Sequence, residues 1–179
     1  DLGNRLVAKS MDDRIACAVA IQALKEITST PNDLYVVFTV QEEVGTRGAL
    51  TAAYGIEPAL GIAVDVTMTG DTPKARPMAV SLGDGPAIKV MDSGMLAHPG
   101  VVRWMAERAE ALGIAYQREV LLGGSTDARA IQTSRAGVPA GCISIPCRYV
   151  HTPSEMVDTG DVEGAVKLLT ALLSGPIVL

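Results

Sequence analysis

Aromatic residues are nearly missing from this chain: one Trp, one Phe and four Tyr among 179 residues. A core must therefore be assembled from Ala, Val, Ile and Leu, which the 48% apolar content supplies. Positive charge is also short. Fifteen basic residues against twenty acidic ones give a formal net charge of -5. That balance leaves no electrostatic footprint for nucleic acid and argues against an anionic membrane surface as partner. Cysteine is sparse: Cys17, Cys142 and Cys147 form an odd set with no CxxC pair. This speaks against a disulfide framework or a zinc ribbon and suits reduced thiols in a cytoplasmic protein. No uninterrupted apolar run reaches the ~18 residues of a membrane helix, and no signal-peptide pattern opens the chain. Repeats, low-complexity tracts and domain linkers are absent too, so residues 1–179 are expected to form one domain. Position 1 is Asp rather than Met, which suggests a piece or a processed product of something longer.

What is present is an alternation of helix and strand patterns. Leu6-Val7-Ala8 reads as a strand end. Ile15, Val19, Leu24 and Ile27 recur at helical spacing within a helix expected over 12–28, with Asp12 and Asp13 at its start. The run from Leu34 to Val40 is apolar on both alternate sets of positions, as in a central strand buried on both faces. A polar, Gly-punctuated loop (41–48) and a short helix (49–54) follow. Further strands are expected over 60–66, 87–91, 116–122 and 141–145. Helices are expected over 101–112, from the Gly-Gly-Ser-Thr cap at 123–126 to Ser134, and over 162–173. The expected architecture is a layered α/β sheet flanked by helices.

Sheets of this kind place ligands at the carboxyl ends of their strands. Glu42-Glu43 follows the run ending at Val40, Asp65 ends the strand 60–66, and His151 lies in the loop after the strand ending near Ile145. Asp12 joins them if the first helix starts at the same edge. Three carboxylates and an imidazole suit a divalent transition metal, with one carboxylate left to move protons. Each residue also has an ordinary reading. Acidic pairs are commonly solvated, Asp12 and Asp13 suit a helix dipole, and His151 suits a hydrogen-bonded loop. Asp65 is less ordinary, because a carboxylate ending a buried strand must be paired or coordinated.

Taken in order, five segments are specific: Lys9-Ser10-Met11-Asp12-Asp13-Arg14; Gln41-Glu42-Glu43-Val44-Gly45-Thr46-Arg47-Gly48-Ala49; Val64-Asp65-Val66; Gly123-Gly124-Ser125-Thr126-Asp127-Ala128; and Ile145 through His151 to Glu155. On these the chain resembles the TET-type dinuclear metallo-aminopeptidases, the glutamyl and deblocking aminopeptidases, some of which carry an endoglucanase label. The resemblance implies a zinc-exopeptidase-like catalytic domain holding two divalent metals, zinc or cobalt, with manganese tolerated. It implies Asp12 as the bridging ligand, Glu43 and His151 on one metal and Asp65 on the other. Glu42 is implied as the general base. Asp13 would be structural or stand just behind the ligands, and Asp127 and Arg148 would support the site. The implied substrate is a peptide with a free N-terminus, and the implied assembly is a homo-oligomer. The family carries one more metal-binding His near its N-terminus, ahead of an inserted dimerisation domain. Neither is in this stretch, whose only other histidine is His98. The alternative is therefore a catalytically silent fragment or assembly module.

Overall fold

The computed structural model describes residues 2–179; Asp1 lies outside them. Its elements run β1 (Arg5–Ala8), α1 (Met11–Glu26), α2 (Arg47–Ile56), β2 (Gly61–Thr67), β3 (Ala87–Met91), α3 (Pro99–Ala111), β4 (Gln117–Val120), α4 (Asp127–Gln132), β5 (Ala140–Arg148), β6 (Glu155–Asp158) and α5 (Thr159–Ser174). The layered α/β expectation holds.

β5 organises the sheet. It pairs in parallel with β2 along the whole of that strand, from Gly61↔Ala140 to Thr67↔Pro146. It is antiparallel to β3 at Ala87 and Ile88, and its last residues pair with β6. β4 extends the sheet beside β3, and β1 extends it beside β6. Successive side chains of a strand point to opposite faces, and the two faces are covered differently. Val66, Ile143, Ile145 and Cys147 pack with Val19, Val101, Met105, Leu168 and Leu172 of α1, α3 and α5. Ala63, Ala140 and Cys142 face Ala128 and Ile131 of α4. Small side chains on the second face let the short α4 sit close to the strands, so its N-terminal loop reaches the carboxyl end of β2. No helix among the described residues is long and apolar enough to cross a membrane.

Cap chemistry sets several boundaries. The Thr126 side chain accepts from the Ala128 N–H at the start of α4. Asp158 does the same for Gly160 at the start of α5, and Pro99 begins α3. Beneath the sheet, Lys89 and Glu119 form a fully buried ion pair at directly opposed positions of β3 and β4. Glu119 also accepts from the Thr67 hydroxyl at 2.6 Å.

Two expectations fail. Residues 34–40 join no strand ladder; they run extended with Tyr35, Val36, Val37, Phe38 and Val40 exposed. An apolar pattern states what a run prefers to pair with, and no partner strand for it lies among the described residues. Residues 155–158, expected as loop, form β6, because β1 supplies an antiparallel partner that local pattern does not reveal.

Candidate metal centre

The strand ends and loops at one edge of the sheet bring the acidic residues together. Asp12 and Asp13 lie in the first turn of α1, where the backbone departs from helical geometry (ψ 106 and 47). That departure turns both carboxylates toward β2 instead of fanning them around a helix. Asp65 points from β2 and is buried. Glu42 and Glu43 follow the exposed run, in a loop closed by N–H bonds from Gly45 and Thr46 to the Glu42 carbonyl. His151 occupies the tight turn between β5 and β6, with a left-handed φ of 64.

His151 Nε2 lies 3.0 Å from Asp12 Oδ2 and 3.2 Å from Glu43 Oε2. Asp12, Glu43 and His151 each present a ligand atom within 4.8 Å of the others; so do Asp12, Asp13 and Asp65. Asp12 belongs to both groups. Asp12, Glu43, Asp65 and His151, with Glu42 and Thr67, line a cavity of about 330 Å3, whose wall is completed by the Gly123–Thr126 loop and Arg129.

Glu155 holds this geometry from below. It is buried on β6; its Oε1 accepts from the His151 N–H at 2.8 Å and its Oε2 from the Asp12 N–H at 3.1 Å. One carboxylate thus fixes the turn carrying the imidazole and the backbone carrying the shared aspartate. The sequence offered no separate signal for it beyond its place at the end of the last motif. Asp13, expected to be structural or to stand behind the ligands, presents a carboxylate oxygen within 4.8 Å of those of Asp12 and Asp65. His98 stands apart: it precedes α3 and lines a separate groove with Leu96 and Pro139.

The supporting residues divide. Asp127 accepts from the Thr39 hydroxyl, and it is close enough to Glu42 to raise that carboxyl's pKa. Arg148 instead grips Asp71 through two nitrogens, at 3.1 and 2.7 Å. Asp71 in turn accepts from the Leu82 N–H. Arg148 therefore pins the loop after β2, and its carboxylate partner falls well below the ordinary range because the guanidinium bonds to it.

The site is electrostatically unbalanced. Burial, then the neighbouring Glu43, lifts Asp12 from 3.8 to about 6. Burial, then Asp65 and Asp12, lifts Asp13 to about 10. Burial, then Asp12 and Glu42, holds Asp65 far above its usual value. Glu42 rises from 4.5 to about 7 through burial, Asp127 and Glu43. Among the described residues no Lys or Arg forms an ion pair with any of the five carboxylates at the site. Hard and borderline oxygen and nitrogen donors that converge without a cation fit a divalent metal.

The family model described as M42 glutamyl aminopeptidase matches residues 2–168. The chain belongs to this family. An aminopeptidase-named protein of Acetivibrio thermocellus is 51% identical over 167 residues, which cover 93% of this chain and 51% of the relative. The solved aminopeptidase APDkam598 of the archaeon Desulfurococcus kamchatkensis superposes with a TM-score of 0.93 at 43% identity, covering 97% of this chain and 50% of that one. The Pyrococcus horikoshii TET1 peptidase, described as assembling into a tetrahedron or a large octahedral shell, superposes with a TM-score of 0.78 at 31% identity, covering 96% and 51%. The chain spans about half the length of the curated relatives it matches.

Proposed function

We propose that this M42 chain carries most of the catalytic site of a two-metal aminopeptidase acting on peptides with a free N-terminus. The observation that carries the reading is the convergence of Asp12, Glu43 and His151 in one cavity with Glu42, which belongs to neither ligand group. Asp12, Glu43 and His151 would hold one divalent ion; Asp12 would share a second with Asp65, and Asp13 is placed to assist. Zinc or cobalt suits these donors, and manganese is tolerated. When bound, the pair supplies Lewis acidity toward the scissile carbonyl and the attacking water.

The chain's own residues do the rest. Glu42, whose carboxyl rises to about 7, takes a proton from the attacking water and passes it to the departing amine, a task suited to a group near the working pH. Glu155 keeps His151 and Asp12 in register. Asp127 holds Thr39 beside Glu42, and Arg148 steadies the loop after β2. The free α-amine of the substrate would find the remaining carboxylates. Assembly into a homo-oligomer and a cytoplasmic setting are part of the same proposal, the first supported by the shells described for the Pyrococcus horikoshii relative.

Glu42→Gln in the protein carrying this chain is expected to lower kcat by at least about 100-fold, the typical contribution of a positioned acid-base group, with metal content unchanged. Undiminished turnover would remove Glu42 from the role of base. One observation favours a second reading, a catalytically silent module: the Asp12, Asp13 and Asp65 group has no imidazole. Two tightly held metals per chain favour the enzyme; one or none favours the silent module.

A further inference from the structure

β3 and β4 run parallel, so their carboxyl ends lie side by side. Asp92 follows β3 directly, and the loop 121–126 follows β4. The two segments are fastened together. Asp92 Oδ1 accepts from the Gly94 and Met95 N–H groups, both at 2.8 Å, and from the Ser125 hydroxyl at 2.9 Å. The Ser93 N–H and hydroxyl both donate to the Gly124 carbonyl. Asp92 is buried, so its bond to Ser125 is made away from competing water. Its other oxygen, Oδ2, has no hydrogen-bond partner. Two of the three bonds close the 92–95 turn on itself; the third reaches across to the loop and does nothing for the turn.

The fastened loop is a wall of the metal-centre cavity, and its chemistry differs from that of the carboxylates. Asp12, Glu42, Glu43 and Asp65 offer acceptors, which suit cations. Gly123, Gly124 and Ser125 offer N–H groups that meet no acceptor among the described residues. Arg129 is the one Lys or Arg among the described residues lining the cavity, and its guanidinium forms no ion pair among them. A peptide with a free N-terminus presents the matching order, an ammonium first and carbonyl oxygens after it. Its scissile carbonyl belongs with the metals, so the donors of the loop suit the next carbonyl oxygen along.

We propose that Asp92 is a positioning residue for the substrate: through Ser125 it sets the 123–125 loop where the loop's donors meet the carbonyl oxygen of a peptide's second residue. The assignment rests on the aminopeptidase reading of the cavity. Asp92 acts by geometry rather than by charge, because Oδ1 makes all three bonds. Gly94 belongs to the same device. A Cβ there would come within 2.8 Å of both Arg129 Cδ and Ser125 Oγ, so a side chain at 94 pushes on the wall from behind.

The test uses the intact longer protein loaded with metal, and two substrates: Leu-Gly-Gly, and leucinamide, which lacks the second carbonyl. Asp92→Ala is expected to raise KM for Leu-Gly-Gly by about 10-fold, the loss of one hydrogen bond at the upper end of its usual strength, with KM for leucinamide, kcat and metal content little changed. Gly94→Ala is expected to act in the same direction; position 94 is exposed, so this variant carries the test if Asp92→Ala does not fold. Asp92→Asn keeps the accepting oxygen and replaces only the one without a partner, so it is expected to restore KM. Equal losses on both substrates, or an Asn variant as impaired as the Ala variant, would overturn the proposal. The dissociation constant of Leu-Gly-Gly in the Glu42→Gln background, where the peptide stays whole, separates this result from the activity reading. The same weakening by Asp92→Ala there supports the positioning role even if no variant turns over; an unchanged constant overturns it.

Discussion

Raising the pH of the metal-free protein from 5 to 8 should destabilise it, and the site carboxylates fix the sign. Asp12 is lifted from 3.8 to about 6 and Glu42 from 4.5 to about 7. In the unfolded chain both are ionised by pH 5, whereas the folded protein keeps them largely protonated. Between these values unfolding releases protons, so stability falls as pH rises through the window from about 4 to about 7. Each lift of roughly two pH units would be worth about 3 kcal/mol unscreened. Both groups reach water, so about 1 kcal/mol each is a fairer figure after solvent screening. A combined loss of about 2 kcal/mol lowers Tm by about 4–8 °C for a chain of this size. Asp13, lifted to about 10, stays protonated in the folded protein and is ionised in the unfolded chain across this range, so it adds to the fall in the same direction. The assay is scanning calorimetry in chelator at pH 5, 6, 7 and 8, repeated with saturating zinc, cobalt or manganese. Metal ions compete with protons for these oxygens, so stabilisation by metal should grow as pH rises. A Tm in chelator that is flat or climbs from pH 5 to 8 would refute the crowding on which the site rests.

Other outcomes follow from single side chains. Glu155→Ala leaves the N–H groups of Asp12 and His151 without their acceptor and is expected to weaken metal binding by about 10–100-fold, as loss of a ligand's supporting partner does; isothermal titration reads it directly. Lys89→Met strands Glu119 in a fully buried position and should cost about 3–5 kcal/mol, with most of that recovered on adding Glu119→Leu; urea melts of the three variants check both statements. Arg148→Ala frees Asp71 and the loop after β2, so proteolytic nicking within 69–80 should accelerate while metal content stays constant.

The sequence disclosed most of the architecture because helix and strand periods do not depend on distant partners. The helices 99–111 and 159–174 and the strands 61–67 and 87–91 carry their own patterns and ends. What pattern alone missed depended on partners. β6 exists because β1 lies alongside it. Residues 34–40 have a strand's composition and no ladder, because hydrogen-bonding company is a property of the neighbourhood rather than of the run. At the site, Asp12, Glu43, Asp65 and His151 could be named from ordered motifs, and the structure brings them into one cavity. The place of Asp13 beside Asp65 was not legible, since adjacent acids at a helix start ordinarily fan outward. Glu155 was equally hidden, because its two bonds go to backbone groups 143 and 4 residues away. Arg148 lay in a motif, but its partner Asp71 sits in a loop that no periodicity describes.

The central claim is that Asp12, Glu43 and His151 form a metal centre, and anomalous scattering from crystals of the metal-loaded protein tests it most directly. The expected map has a peak bonded by His151 Nε2 and by oxygens of Asp12 and Glu43 at about 2.0–2.2 Å, with Glu42 close by but outside bonding range. A map with no peak at these three residues, or with Glu42 itself bonded to the ion, would contradict it.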